Sequence, residues 1–475
     1  MNLADGAKTL LNRLLNLSSD VRPEETTRTT LLLINIFLLL VAYYVIKTVR
    51  EPLILASGGA EMKSYAAGFQ AALLAGFVPL YGWVRARVSR MWLNTTIVVF
   101  YLVCIELFFG FGWLGAPNVF GLLAAGDGGA VGWLANNINL GFVFYIWVGI
   151  FSVSTIAQFW SYANDLFDEE TGSRLFPVIA VGATAGAPVG SAIAGRLFDA
   201  GIGPYAMLQI SAVLLAVHLG IYYAVEARID RDETDERRET DPSDEATPDS
   251  ENGFRLILEN RYLWWIALFL ILLNLVNTTG EYILGDFVES AAHAAVDAGR
   301  AQSAEAYIGA FYGDFYSIVN VVTVVIQAFF VSRIIKYIGM KGVIFALPVV
   351  SLGTYGLVAL GAGLPVFRWA KTAENSTDYS VMNTTRALVW LPTTEAEQYS
   401  AKQTIDTFFV RVGDVLSAGL VFAGTTWLNF RSHHFAYANL VLIALWIGVG
   451  ILLWKSFWRL SREQGVTMED IRDQA

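Results

Sequence analysis

Twelve stretches of the chain hold long apolar runs separated by shorter polar ones: roughly 29–55, 66–84, 91–112, 140–163, 175–195, 205–226, 262–287, 307–331, 342–363, 366–391, 403–426 and 436–457. Each is close to the ~20 residues that a helix needs to cross a hydrocarbon core of ~30 Å. Runs such as LLLINIFLLLVAYYVI (31–46) are apolar on every face and show no alternation of period two, so they predict membrane helices and not barrel strands. The expected fold is an all-α polytopic membrane protein, with twelve transmembrane helices arranged as two six-helix bundles.

Composition narrows the function classes. Of 475 residues, 55% are apolar and 16% charged, against about 25% charged in an average soluble chain, and the mean hydropathy is +0.49. This excludes a disordered protein and an ordinary cytosolic enzyme. The net charge of −10 offers no basic face for a nucleic acid. One cysteine, Cys104, forbids an intramolecular disulfide, and the four histidines (His218, His293, His433, His434) have no metal-ligand spacing. No metal or cofactor is expected. Gly110-x-Gly112-x-x-Gly115 matches a dinucleotide fingerprint, but it ends an apolar span with no strand before it. No P-loop occurs, so any transport would be secondary.

Charge also organises the chain. Residues 227–253 carry eleven acids and four arginines, a net −7, and form an expected solvated cytoplasmic linker. It separates a first bundle (29–226) from a second (254–459), with an amphipathic N-terminal segment (1–28) and a tail (460–475) outside them. Leu10, Leu11, Leu14 and Leu15 give residues 1–17 one apolar side, the mark of a surface helix; no cleavage site marks them as a signal peptide. Arg85, Arg87 and Arg90, then Arg333, Lys336 and Lys341, then Lys455, Arg459, Arg462 and Arg472 cluster between or beyond spans. Residues 113–139 hold no Lys or Arg. Both termini are therefore expected on the cytoplasmic side. Six plus six spans with both ends inside resembles the plan of the major facilitator superfamily, whose halves are parallel repeats around a midplane site. Gly182, Gly186 and Gly190 recur every four residues and predict close helix packing or a seam that slides.

Charges within spans are costly and carry the functional expectation. The first span holds Lys47 and Arg50 on one face, with Glu51 and Pro52 following. These two cations fit an anionic solute, although snorkelling or a pair with a glutamate explains them as well. Asn274, Asn277 and Glu281 interrupt the seventh span at the corresponding place, within NLVNTTGE. The tenth carries Arg368, Lys371, Glu374, Asp378, Asn383 and Arg386; the eleventh carries Lys402, Asp406, Arg411 and Asp414. In the fourth, Gln158, Trp160, Tyr162 and Asn164 set aromatic rings beside amides, a surface on which a planar ring can stack.

The stretches VIKTVREPLIL, FWSYAN…RLFPVIAVGATAG, NLVNTT and TDYSVMNTTRALVWLP…E…SAKQTIDTFFVRVGD together resemble the ATP/ADP translocase family, the non-mitochondrial nucleotide transporters of plastids and intracellular bacteria with their free-living bacterial relatives. In that family four charged residues are tied to transport: a Lys in the first span, a Glu in the fourth, a Glu in the seventh and a Lys in the eleventh. Arg50 matches the first position. Val148 falls at the second, Asn277 at the third with Glu281 one turn on, and Asp414 at or beside the fourth. The resemblance implies a secondary transporter of an anionic metabolite, a nucleotide of ATP/ADP type, exchanging by alternating access in a bacterial inner membrane, as a monomer and not an enzyme. Lys47 and Arg50 would bind phosphate, Arg386 or Arg411 would complete the clamp from the other half, and Trp160 and Tyr162 would take the base. Asn164, Asn274, Asn277, Glu281 and Asn383 would line the cavity. Glu51, Asp378, Lys402, Asp406 and Asp414 would couple or gate. The alternatives are a proton-coupled carrier of another small solute, with Glu281, Asp314 and Asp378 as proton sites, and a membrane scaffold working through its acidic linker.

Overall fold

The computed structural model describes residues 21–85, 87–114, 139–228, 253–394 and 397–465. The expected surface helix at 1–17, linker residues 229–252, Gly115 and the tail beyond 465 lie outside them. The described residues are helical, with no strand. In chain order they form α1 (Thr26–Arg85), α2 (Arg90–Trp113), α3 (Leu140–Leu166), α4 (Glu169–Asp199), α5 (Pro204–Glu226), α6 (Gly253–Glu259), α7 (Arg261–Asp297), α8 (Ala304–Phe329), α9 (Val331–Ile338), α10 (Met340–Ala359), α11 (Leu364–Thr377), α12 (Asn383–Leu388), α13 (Lys402–Thr404), α14 (Val410–Trp427) and α15 (Ser432–Gln464).

Local chemistry sets the starts and stops. The side chain of Asn139 accepts the Phe142 amide at 2.8 Å and opens α3. Asp168 does the same for Thr171 at α4, also at 2.8 Å, and Asn260 for Tyr262 at α7, at 2.9 Å. Pro204 takes the first position of α5, where its missing amide costs nothing. Gly465 ends α15 with φ at 75°.

Ten of the described helices, counting α8 with α9 and α13 with α14, are long and apolar enough to cross a membrane. The chain is thus a multi-pass membrane protein. The count of twelve depends on two further segments. α1 has 60 residues, about 90 Å at 1.5 Å per residue and near three times a bilayer core. It breaks at Gly59 alone, where φ is 71° and ψ −178°. The loop expected between spans one and two is therefore a single residue, because glycine adopts this backbone freely. The other segment is α11 with α12, too polar to qualify. Here the helix is interrupted by a π-helical turn at Asp378–Met382, and two more flank α13 at Glu397–Ala401 and Ile405–Phe409. Such turns gather at functional sites. α7 also runs ten residues past the expected end of the seventh span, to Asp297.

The residues group into two compact units: one of Met1–Leu53, Leu80–Glu245 and Glu305–Ser317, the other of Ile54–Pro79, Ala246–Ala304 and Ile318–Ala475. Each follows one half of the sequence except for 54–79, which holds the end of span one, the expected loop and most of span two and groups with the second half, and the start of α8, which groups with the first.

In the first unit, Gly182, Gly186 and Gly190 face the backbone of α1. A Cβ on them would lie 2.3 Å from the Leu33 carbonyl oxygen, 2.6 Å from that of Phe37 and 2.6 Å from that of Val41. The four-residue repeat on α4 thus meets a four-residue repeat of carbonyls on α1, which only hydrogen allows. An aromatic core of Phe108, Phe144, Trp147 and Phe151 packs beside it, with rings 4.9–5.4 Å apart. Gly186→Ala should lower stability by about 1–3 kcal/mol, because the added methyl meets backbone. Gly220→Ala, whose Cβ would have nothing within 4 Å, should be neutral or gain about 0.5–1 kcal/mol. Thermal unfolding of the detergent-purified variants measures both, and equal midpoints would contradict the packing account.

Candidate functional site

Each unit carries its own cluster of charge. In the first, Lys47 and Arg50 project from α1 one turn apart. The Lys47 ammonium lies 4.4 Å from the ring centre of Tyr316 and 5.1 Å from that of Tyr44. The Arg50 guanidinium lies 4.2 Å from the ring centre of Tyr145. Rings facing cations in this way stabilise them without neutralising them. Arg50 also donates through Nε to Glu51 Oε1 at 3.0 Å, and the Tyr316 hydroxyl donates to the same oxygen at 2.9 Å. Glu51 is wholly buried. Of the alternative explanations, the pairing of Arg50 with a glutamate is therefore realised, and Glu51 is the partner. Aromatic rings face both cations, and Glu51 pairs with Arg50.

The fourth-span residues stand elsewhere. Tyr145, which covers Arg50, and Trp160 share the uninterrupted helix α3; fifteen residues at 1.5 Å per residue put them about 22 Å apart along it. Trp160 packs edge-on against Phe159 and Phe176. Tyr162 is fully buried, donates to Glu226 at 3.0 Å and packs on Tyr222. Asn164 is exposed. The structure does not bring these three to Lys47 and Arg50; Tyr43, Tyr44, Tyr145 and Tyr316 supply the rings there. Val148, expected to fall where the resembled family has a Glu, is buried in the apolar core.

The second unit holds a buried ion network. Lys371, on α11, is fully buried. Its Nζ lies 2.9 Å from Glu374 Oε2, 2.8 Å from Asn277 Oδ1 and 3.6 Å from Glu281 Oε1. Glu374 also accepts from Ser351 at 2.8 Å and Tyr355 at 3.0 Å. Glu281 reaches Lys63 at 3.5 Å and accepts from Asn375 at 3.2 Å. Two lysines and two glutamates thus balance, each with hydrogen-bonding neighbours, which is the condition for keeping ions out of water. Gly280 makes room for it: a Cβ there would sit 1.8 Å from the Tyr355 hydroxyl oxygen.

Other expected residues surround or leave this network. Asn274 turns back to the Leu270 carbonyl at 2.8 Å. Thr278 donates to Asp414 at 2.6 Å, and Arg411 lies 3.6 Å from the same carboxylate. Arg386 lies 3.9 Å from Asp378. Arg386 and Arg411 keep 33% and 31% of their side chains exposed, so both still present a cation. Asn383, Lys402 and Asp406 are exposed. Three members of the network had no assigned role: Lys371, Glu374 and Lys63. The first two are an i,i+3 pair of opposite charge inside one span, a signal visible in the sequence. Lys63 had none, because it falls where a loop was expected.

A family model described as TLC ATP/ADP transporter matches residues 20–362. No curated protein sequence matches the chain. Solved structures are similar over nearly the whole chain. A bacterial homologue of the lysosomal transporter Spinster, inward-facing and unoccupied, is 13% identical, with 93% of this chain and 99% of that chain covered and a TM-score of 0.57. The nucleoside transporter NupG is 14% identical over 90% and 98%, with a TM-score of 0.56. A bacterial homologue of the iron transporter ferroportin, inward-facing, is 15% identical over 90% and 98%, with a TM-score of 0.60. At such identity the likeness is one of fold, and the fold is that of the major facilitator transporters.

The ion network makes a sharp stability prediction. Lys371→Met leaves the buried Glu374 carboxylate without its ammonium partner and should cost about 3–5 kcal/mol. Lys371→Met with Glu374→Gln should recover most of it. Thermal unfolding of the two single variants and the double variant measures the coupling, and additive losses would contradict it.

Proposed function

Because the chain belongs to the TLC ATP/ADP transporter family, matched over residues 20–362, we propose that this secondary transporter exchanges nucleotides of ATP/ADP type by alternating access. The observation that carries the reading is the pair Lys47 and Arg50, one turn apart on a membrane helix, each against a tyrosine ring at 4.4 Å and 4.2 Å. Phosphates need cations, and a purine needs a flat aromatic surface; both stand here on neighbouring side chains. Arg50 supplies a planar fork that two phosphate oxygens can share, and Lys47 a point charge. Glu51 holds Arg50 in place and stands where an arriving phosphate competes for it. In the second unit, Arg386 and Arg411 keep part of their side chains exposed, and Asn383 and Glu281 are polar groups within reach of water.

The Lys and Arg distribution supports placing both termini on the cytoplasmic side of a bacterial plasma membrane. The protein acts as a monomer in this reading, with a small anionic solute and the lipid bilayer as its partners.

Exchange in liposomes tests it. Purified protein in vesicles loaded with ADP should take up labelled ATP, and Arg50→Ala should lower the rate about tenfold or more, near 1.4 kcal/mol of lost interaction. Arg50→Lys should recover little, since the fork is gone. No exchange by the wild type, undiminished exchange by Arg50→Ala, or uptake driven by a pH gradient with no nucleotide inside would overturn the proposal.

A further inference from the structure

The segment of α1 that restarts after Gly59 is tied to α7 by charge at two points. Glu289 accepts the Ala60 amide at 2.9 Å, capping the restarted helix from another element. One turn on, Lys63 Nζ lies 3.5 Å from Glu281 Oε2. Ala60 and Lys63 are three residues apart, and Glu281 and Glu289 eight apart, so each pair shares one helix face. Small groups meet beside the two ties. A Cβ on Gly285 would lie 3.3 Å from the Ala60 Cβ, and one on Gly68 would lie 2.6 Å from the Ala418 Cβ of α14. The Tyr65 ring meets Phe422 6.1 Å away.

This surface is close but shallow. Small groups interlock little, so apart from the Tyr65–Phe422 ring contact the named contacts can part without prising large side chains from sockets. The ion pair and the capped amide add charge to this surface. Lys63 is 3% exposed, and a lysine so placed needs its carboxylate. Lys371 has Glu374 and Asn277 as well, so Glu281 can leave it without stranding a charge. Gly59, with φ at 71°, is a single-residue pivot at the base of the segment.

We propose that Lys63 is a positioning residue of the transport cycle: with Glu281 it forms an ionic latch that holds residues 60–69 against α7 and α14, and the latch parts when the carrier changes state. The inference rests on the chain being a transporter and not on which solute it carries.

The test needs no solute. Cys104→Ala removes the native cysteine, and Ala60→Cys places a thiol at a site 4% exposed in the latched arrangement. A water-soluble maleimide should label the detergent-purified full chain slowly. Lys63→Met, which keeps volume and removes charge, should speed labelling about tenfold or more by shifting the population to the parted state. Lys63→Arg should label at the parental rate, so the gain follows charge. The isosteric Glu281→Gln carries the same expectation as Lys63→Met, and the test does not depend on methionine being tolerated at 63. A second reporter, Ala163→Cys, lies fully buried in the first unit and stays slow in an opened protein but not in an unfolded one. Labelling of the folded Lys63→Met and Glu281→Gln proteins at the parental rate overturns the latch, whatever the liposomes show for nucleotides. Fast labelling with no nucleotide exchange supports the latch and defeats the nucleotide reading.

Discussion

Lys63, Glu281, Lys371 and Glu374 form a chain of alternating charge inside a protein built for lipid. None of the four helical segments that contribute to it can be placed freely. Lys371 is satisfied only if α11 sets it 2.9 Å from Glu374 and 2.8 Å from Asn277 of α7. Glu374 needs Ser351 and Tyr355 of α10. Glu281 needs α1 to restart where Gly59 allows it, so that Lys63 arrives 3.5 Å away. Hydrophobic burial does not align membrane helices, because lipid is as apolar as their side chains. A polar network that tolerates few arrangements does. The π-helical turn at Asp378–Met382 follows directly on the helix that carries Lys371 and Glu374.

The first unit uses two other means of alignment. Glycines 182, 186 and 190 fix α4 on α1 by excluding every side chain, and stacked aromatics fill the space between α2 and α3. Its span cations are differently placed. Lys47 and Arg50 lie against tyrosine faces, and Arg50 also pairs with Glu51. One unit thus holds its buried lysines by carboxylates, and the other sets two span cations against aromatic rings. That contrast directs the functional reading to Lys47 and Arg50.

Much of the fold was legible in the sequence because spans, loop charges and the glycine repeat are local signals. Lys47, Arg50, Glu51, Asn277 and Glu281 were legible as candidates because a charge or amide inside an apolar run is conspicuous wherever it points. What was hidden is non-local. Tyr145 and Tyr316 look like ordinary span residues until the chain returns them to Lys47 and Arg50. Trp160 and Tyr162 were attractive by type, yet α3 carries them some four turns of helix or more away from Tyr145. Gly59 compresses an expected loop into one residue, and Lys63 falls inside that expected loop. The departures from the family pattern also have physical sense here. Val148 is packed in an apolar core where a glutamate would be stranded, Asn277 serves Lys371, and Asp414 is held by Thr278 and Arg411.

The central claim is that the folded protein recognises nucleotide through phosphate and base together. Its most direct test is the apparent stability of the purified wild type in the presence of candidate solutes, since a ligand that binds only the folded state raises the unfolding midpoint. The account predicts a rise with ATP and ADP that exceeds any rise with inorganic phosphate or adenosine alone. A rise with an unphosphorylated solute and none with ATP or ADP would contradict it.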